Sequence, residues 1–396
     1  MSAPVTAGPD EGGDPAAPRL RDGLQRCLAV FAATRIGLFL LSVMGVGLTG
    51  VPAGQPIGVP GWAAPPMGPG WHLLFTATER QDALWFLRIA THGYRTGDTS
   101  AAFFPLYPGA IKGVSLLTFG HPLLAALLVS NACFLGALIL LYDLTAREFS
   151  KDVAGRSIVL LALFPTAFFL MAPYSESLFL LLALASFRSA RMHRWGWAAV
   201  FALLATLTRS VGIVLAPALL VEAIQQWRAG GRPLPSAVAA SAAPAVGLGL
   251  VFAGWWRWGG DALAPLHVQS AWRPRFSLPW ASLWRGLRFA DLYGSYWLLD
   301  AVVVVAAIVA LVAGIRRVRA TYLVFAAGAL VLPLFAEFPD RPLLSMPRFI
   351  CVLFPVIWVP SLLAERRPWV HTVAIASFAA GFGLFAVLFV NWQYVF

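Results

Sequence analysis

A few charged side chains stand at the ends of long apolar runs, where they could act on a charged group at a membrane surface. Asp82 lies near the start of the segment ERQDALWFLRIATHGY, whose apolar spacing predicts a partly amphipathic helix. A carboxylate in that position could face a cavity and accept a proton. It also has a purely structural explanation, because an acidic residue at a helix start complements the helix dipole. Both explanations are open at this point.

Two arginines are placed where a charge is costly. Arg209, in TLTRSVG, and Arg348, in SMPRFICVLFP, each stand in a turn beside an apolar run. An arginine near membrane depth costs about 2.5 to 3.5 kcal/mol on insertion scales unless it has a partner or reaches water. The partner that a guanidinium prefers is a phosphate or a carboxylate. Snorkelling of the long side chain to the interface is the alternative explanation for both residues.

The remaining polar residues do not form a recognisable cofactor site. Glu176 lies in the turn APYSES, where Ser175 or Glu176 could simply cap the next helix. His92 and His267 are isolated, and no spacing of His, Cys and carboxylates is typical of a metal site. There is no Walker loop, dinucleotide fingerprint or GxSxG elbow. We therefore expect no cofactor and no metal ligands, with a divalent metal left as an open alternative.

The elements that must position these residues are membrane helices. Of the 396 residues, 59% are hydrophobic and 12% are charged, against about 25% charged in an ordinary soluble domain. This composition excludes a soluble globular protein. The net charge of +11 comes from arginines scattered between apolar runs, which does not resemble a groove that binds nucleic acid. The separated Cys27, Cys133 and Cys351 indicate small apolar side chains rather than a disulfide framework.

The apolar runs predict about 11 transmembrane helices, since crossing a bilayer as helix takes roughly 20 residues. Residues 1–26 are predicted to form a disordered cytoplasmic tail, and residues 27–396 a single transmembrane domain. The predicted spans are 28–48, 122–143, 157–173, 175–190, 195–208, 210–227, 236–256, 296–314, 322–336, 349–364 and 370–391.

The distribution of basic residues predicts the orientation. Sixteen of them fall in short segments on one side of the predicted spans and 12 on the other, so we expect a cytoplasmic N-terminus and an outer C-terminus. Two large outer loops follow, 49–121 and 257–295, and function is expected there because sites concentrate in long loops on a rigid scaffold. Segment 103–119 contains two prolines and Lys112, so we expect it to lie on the membrane or re-enter it. If it spanned, every later orientation would invert.

Five segments resemble, in order and context, the PIG-V family of GPI mannosyltransferase-like proteins, which has many bacterial members and the GT-C glycosyltransferase fold. The resemblance extends from about residue 26 to 365, and the chain is similar to a bacterial-type member. The segments are QDALWFLRIATHGY, AFFPLYP, LALFPTAFFLMAPYSESLFLLLALASF, ALLATLTRSVGIVLAPALL and SMPRFICVLFP.

The resemblance implies an all-α polytopic membrane protein of the cell membrane. It would transfer mannose, with inversion, from a polyprenyl-phosphate donor to a hydroxyl of a lipid, glycan or protein acceptor on the outer face. Asp82 matches the essential aspartate of the family and is expected to be the catalytic base, while Arg209 and Arg348 are expected to bind the donor phosphate. Gln81 stands where the family usually has Trp, and Phe349 where it often has Tyr. The side chain packed beside Asp82 therefore differs from that of the family, and a tyrosyl hydroxyl contact is missing.

Two alternatives to this function are open. The same fold could use another polyprenyl-phosphate sugar such as arabinose. A transporter or flippase of a lipid-linked substrate is the competing class, but it predicts paired inverted repeats, which the sequence does not display. His92 and Glu176 are weaker candidates for the base. The candidate substrate-binding residues are Glu79, Arg88, His92, Tyr94, Tyr107, Tyr174 and Glu176.

Overall fold

The structure, a computed structural model, describes residues 17–49, 58–63, 73–230, 235–293 and 297–393. Within them, the short strands Arg275–Phe276 and Ala336–Glu337 pair antiparallel, and 3₁₀ turns occupy Thr99–Ala102, Ala167–Leu170, Ser210–Val214 and Leu332–Phe335. The remaining elements are α1 (Ala17–Thr49), α2 (Leu73–Thr76), α3 (Asp82–His92), α4 (Leu106–Ser115), α5 (Pro122–Glu148), α6 (Lys151–Ala162), α7 (Glu176–Arg191), α8 (Trp195–Thr208), α9 (Leu215–Arg228), α10 (Pro235–Gly259), α11 (Ala264–Trp272), β1 (Arg275–Phe276), α12 (Pro279–Tyr293), α13 (Trp297–Gly314), α14 (Ala320–Val331), β2 (Ala336–Glu337), α15 (Met346–Ile350), α16 (Phe354–Arg366) and α17 (Pro368–Val390).

Six helices in the described ranges are long and apolar enough to cross a membrane. They are α1, α5, α9 with the turn before it, α10, α13 and α17. Each of the other five predicted spans also contains a helix, but one of only 12 to 16 residues: α6, α7, α8, α14 and α16. The helical membrane architecture is therefore confirmed, and the count of about 11 transmembrane helices stays a prediction.

Two predicted boundaries are wrong. The span predicted over 157–173 ends early, because α6 stops at Ala162 and Pro165 is followed by a 3₁₀ turn rather than by more α-helix. Proline removes a backbone donor and clashes with the preceding turn, so it interrupts the helix. The disordered tail predicted over 1–26 is also too long, since α1 begins at Ala17. The earlier part of that tail lies outside the described residues.

Helix α7 lies at the centre of the bundle and separates two charged ends. It packs against α5 and α8, and α8 packs in turn against α10. At its C-terminal end, Arg191 lies 2.5 Å from Glu148 and 3.0 Å from Glu222, while Arg188 lies 2.6 Å from Asp143. These ion pairs tie together the ends of α5, α7 and α9. Arg188 and Arg191 belong to a short segment that is predicted to be cytoplasmic.

Short helices from the two predicted outer loops lie at the other end of α7. The first loop supplies α3 and α4, which pack on each other and on α5. At 10 residues, α4 is about 15 Å long, which is half of a ~30 Å hydrocarbon core, and the placement of segment 103–119 on the membrane surface stays a prediction. The second loop supplies α11, β1 and α12, and the pairing of β1 with β2 joins it to the segment before α15. These two loops enclose the candidate site.

Candidate active site

Four charged side chains at this end of α7 form a chain of alternating sign. Arg348 on α15 lies 2.5 Å from the Asp82 carboxylate at the start of α3. The same guanidinium donates through Nε to Glu176, the first residue of α7. Glu176 also accepts from Arg209, with 2.5 Å between Nη1 and Oε1. Glu176 thus joins Arg209 to Arg348, and Arg348 in turn contacts Asp82, so these four predicted site residues form one network.

The position of Arg348 is set by its own short helix and by aromatic rings. Ser345, directly before α15, has φ of 72°, a left-handed conformation that turns the chain into this helix. Thr166, in the irregular segment after α6, donates a 2.8 Å hydrogen bond to the Pro347 carbonyl. The ring of Tyr174 lies 4.6 Å from the centre of the Arg348 guanidinium, at a distance typical of a cation–π contact. These contacts fix the arginine that orients Asp82.

Asp82 is anchored through the residues before it. The buried Arg80 donates to the Val390 carbonyl at 3.1 Å and to the Thr76 carbonyl at 2.8 Å, which ties this loop to the end of α17. Gln81 has φ of 51°, a conformation that L residues rarely adopt, and α3 begins immediately after it. Asp82 therefore follows a sharp turn and is the first residue of α3, where its side chain is 34% exposed.

A cavity of about 450 Å³ lies between the two loops, and Asp82, Arg209 and Arg348 all line it. The Asp82 side chain is 34% exposed, whereas that of Glu176 is fully buried behind the two arginines. Asp82 is therefore the carboxylate that a ligand in the cavity can reach. Glu176 serves to hold Arg209 and Arg348, which does not favour it as a base.

Arg273, in the second outer loop after α11, also lines this cavity and was not among the predicted site residues. Its guanidinium donates to the carbonyls of Pro333, Ala336 and Leu344 at 3.3 to 3.5 Å. No carboxylate lies within ion-pair distance of it among the described residues. Burial, together with the nearby Arg348, lowers the pKa of Arg273 to about 10, so it stays charged at neutral pH.

These side chains give the cavity a surplus of positive charge. Asp82 and Glu176 balance two of the three guanidiniums, and Arg273 is left over. Phe349 lies between the arginines of the cavity, with its ring 5.6 Å from the guanidinium of Arg209 and 5.3 Å from that of Arg273. Phe349 therefore contacts both guanidiniums through its ring alone, without the hydroxyl of the tyrosine that the resemblance led us to expect.

The three tyrosines predicted to bind substrate have other partners and do not line the cavity. Tyr174 donates to the carbonyl of Arg80 at 2.8 Å, and Tyr94 donates to that of Phe103 at 2.8 Å. The buried hydroxyl of Tyr107 lies 2.7 Å from a serine oxygen on α5. These contacts support the walls of the site, and a direct role in substrate binding stays a prediction.

Glu79, Arg88 and His92 also lie away from the cavity lining. Glu79 accepts from the Trp62 indole at 3.1 Å, and its burial raises the pKa of the carboxyl. The fully buried Arg88 lies 2.8 Å from Asp98. His92 is exposed at the far end of α3, about 15 Å along the helix from its first residue, which does not favour it as the base.

Metal ligands are not grouped in the part of the chain that the structure describes. No three His, Cys, Asp or Glu side chains there are arranged so that they could hold an ion. Cys27 and Cys351 are buried, and Cys133 is half-buried. The absence of a cofactor stays a prediction.

Residues 69–229 match the model of a family described as mannosyltransferase (PIG-V). This range contains Asp82, Glu176 and Arg209 but ends before Arg273 and Arg348. Among curated proteins, none matches the sequence.

Solved structures of the oligosaccharyltransferase of Archaeoglobus fulgidus are similar over much of this chain. The complex with Zn and sulfate is 12% identical, with 91% of this chain and 53% of that chain covered and a TM-score of 0.43. The enzyme AglB in complex with an inhibitory peptide and a dolichol-phosphate is 10% identical, with 92% and 56% covered and a TM-score of 0.46. The chain spans about half the length of these proteins, and similarity at this level gives no basis for transferring their chemistry.

Proposed function

We propose that this chain is a glycosyltransferase of the mannosyltransferase (PIG-V) type, whose family model matches residues 69–229, and that it transfers mannose from a polyprenyl-phosphate donor. The acceptor is a hydroxyl of a lipid, glycan or protein on the outer face of the membrane. The observation that carries this proposal is the cavity itself. It combines one accessible carboxylate, Asp82, with a surplus guanidinium, Arg273.

The proposed reaction needs a base and an anion site close together. The acceptor oxygen forms a bond to C1 of the sugar as the bond from C1 to the phosphate oxygen breaks, which inverts the configuration at C1. Asp82 takes the proton of the acceptor hydroxyl, and polyprenyl phosphate leaves. The two remaining N–H groups of Arg273 can receive the phosphate, because its three carbonyl bonds use only three of its five donors.

Arg348 has a positioning role in this scheme. Its Nη1 holds Oδ2 of Asp82 at 2.5 Å, so the other carboxylate oxygen is available to the acceptor hydroxyl. Because the same guanidinium is held by Glu176 and stacked on Tyr174, it fixes the carboxylate without moving itself. Donor binding by Arg209 is weaker in this proposal than the sequence led us to expect, since its charge is already matched by Glu176.

The proposed orientation places this cavity on the outer face. The opposite end of α7 carries the arginines of the short predicted inner segments, among them Arg188 and Arg191. Short loops rich in basic residues stay in the cytoplasm. A donor with a charged phosphate and a long apolar chain would then enter the outer cavity from the bilayer.

The test is a transfer assay on membranes that contain the full chain, with radiolabelled polyprenyl-phosphate mannose as donor. We expect Asp82→Asn to lower the transfer rate by about 10²- to 10⁴-fold, the usual contribution of a general base, while the variant still inserts. Asp261→Asn is the matched control, because Asp261 is an exposed carboxylate of the second outer loop that pairs with His267 outside the cavity. Wild-type transfer by Asp82→Asn would refute its role.

The sugar is tested in the same assay. We expect mannose to be transferred in preference to a pentose such as arabinose offered on the same lipid phosphate. Preferential transfer of the pentose would keep the fold and the base but replace the proposed donor. Movement of the labelled lipid across the membrane without transfer would instead favour a flippase.

A further inference from the structure

A second cleft lies at the end of the bundle opposite the cavity, between α1, α6 and α17. Its volume is about 390 Å³, and its polar lining consists of Arg26, Arg156, His371 and Asp152. It is close to the start of α6, which directly follows the charged end of α5. The cleft therefore lies at the predicted cytoplasmic end, and the proposed transfer reaction makes no use of it.

Two side chains that line this cleft each carry a buried nitrogen atom without a hydrogen-bond partner among the described residues. The two atoms are Nη1 of Arg156 and Nδ1 of His371. Buried polar groups in folded proteins are nearly always hydrogen-bonded. These two nitrogens therefore need an acceptor that the described part of the fold does not supply. A group with several acceptor oxygens would satisfy the guanidinium and, in the tautomer protonated at Nδ1, the imidazole.

A third basic group can reach the same ligand. Nη1 of Arg26 lies 3.2 Å from the place where a Cβ on Gly155 would stand. The missing side chain of Gly155 thus lets this guanidinium lie against α6. Two guanidiniums and one imidazole face a single carboxylate, Asp152, which is exposed. The charge of the cleft selects an anion.

The surroundings of the cleft are apolar and face outward. Among the lining residues, Ala29, Val30 and Ile158 supply carbon surface beside the charged groups. Nearby on the outer surfaces of α1 and α17, Leu28 is 44% exposed and Val373 is 54% exposed. Both helices are candidate membrane spans whose apolar windows are mostly unburied within the chain. Acyl chains can therefore pack beside a headgroup held in the cleft.

We propose that this cleft binds the phosphate headgroup of an anionic phospholipid from the leaflet at this end of the bundle. Arg156, Arg26 and His371 contact the phosphate oxygens. The acyl chains lie along the exposed faces of α1 and α17. This site is separate from the transfer reaction, so its failure and that of the proposed function are distinguishable.

The test is native mass spectrometry of the full chain released from vesicles of phosphatidylglycerol and phosphatidylcholine in equal amounts. We expect the wild type to retain one phosphatidylglycerol in preference to phosphatidylcholine. Arg156→Gln should lower the phosphatidylglycerol binding constant about tenfold, because a charge-assisted hydrogen bond is lost. Arg156→Lys should keep most of the preference. Arg228→Gln is the matched control, since this arginine is exposed at the end of α9 outside the cleft.

Several outcomes would overturn the proposal. One is equal retention of both lipids by the wild type, and another is an equal loss of preference in Arg156→Gln and Arg228→Gln. Displacement of the lipid by an equal concentration of glycerol 1-phosphate would show a phosphate site without a contribution from acyl chains, which also contradicts the proposal. If Arg156→Gln does not fold, Arg26→Gln replaces it, because the Arg26 side chain is exposed and its loss leaves the core intact.

Discussion

Replacing Arg273 is the most direct test of how the cavity binds its donor. Arg273→Gln removes the surplus positive charge but leaves an amide that can still donate to one of the three backbone carbonyls. A hydrogen bond to a charged group contributes about 1.5 to 3 kcal/mol. Loss of one such contact with the donor phosphate therefore predicts a decrease in kcat/KM for the donor of about 10- to 150-fold.

The variants separate charge from geometry. Arg273→Lys keeps the charge but loses the planar fork that can hold the carbonyls and the phosphate together. We therefore expect its kcat/KM for the donor to lie between the values of the wild type and Arg273→Gln. Arg275→Gln is the matched control. That arginine is two residues away and 53% exposed, lies 3.6 Å from Glu337 and does not line the cavity. Its removal should leave donor use unchanged.

The assay measures initial transfer rates over a range of donor concentrations in membranes with equal amounts of each variant. Most of the expected change for Arg273→Gln lies in the donor KM, because the phosphate is already charged in the ground state. Thermal unfolding of the purified variants checks that the fold survives. An unchanged donor KM in a folded Arg273→Gln protein would refute the assignment of Arg273 to the phosphate.

Two further predictions concern buried charges around the site. Arg209→Ala should lower the free energy of unfolding by about 3 to 5 kcal/mol, because it leaves the fully buried Glu176 with only one cationic partner. The double variant Arg209→Ala with Glu176→Gln should recover part of this loss, and thermal unfolding measures both effects. Equal unfolding temperatures of Arg209→Ala and the wild type would contradict the ion pair. Near pH 7, Glu79→Gln should unfold at the same temperature as the wild type or at a higher one. Burial raises the pKa of this carboxyl and so disfavours its charged form. The oxygen of the substituted amide can still accept the hydrogen bond from Trp62. A lower unfolding temperature would show that the charge of Glu79 stabilises the fold.

The membrane fold could be predicted from the sequence because apolar length is a local property. Each predicted span contains a helix, and the outer loops begin and end close to their predicted bounds. The span predicted over 157–173 failed because apolar composition does not distinguish a helix from a buried irregular segment. Phe168 and Phe169 are fully buried there without forming an α-helix. Pro165 was the local signal for the break.

The pairing of the site residues could not be predicted, because it depends on contacts far apart in sequence. Arg348 and Asp82 are separated by 266 positions, and Arg348 and Glu176 by 172. Sequence alone indicated that Arg209 and Arg348 need anionic partners, but did not tell a phosphate from a carboxylate. The structure supplies carboxylates for both, which is one of the two partner types that the sequence indicated, and binding of the donor phosphate by these arginines stays a prediction.

Arg273 was missed for a related reason. It is one of five arginines in the second outer loop, and no local signal separates it from the exposed Arg275 nearby. What distinguishes Arg273 is its tertiary environment: it is half-buried, its hydrogen bonds go only to backbone carbonyls, and it lies next to another guanidinium. A charge that is partly removed from water and has no ion-pair partner opposes folding. A residue kept charged and unpaired in a cavity is therefore better explained by the ligand it receives than by the stability it gives.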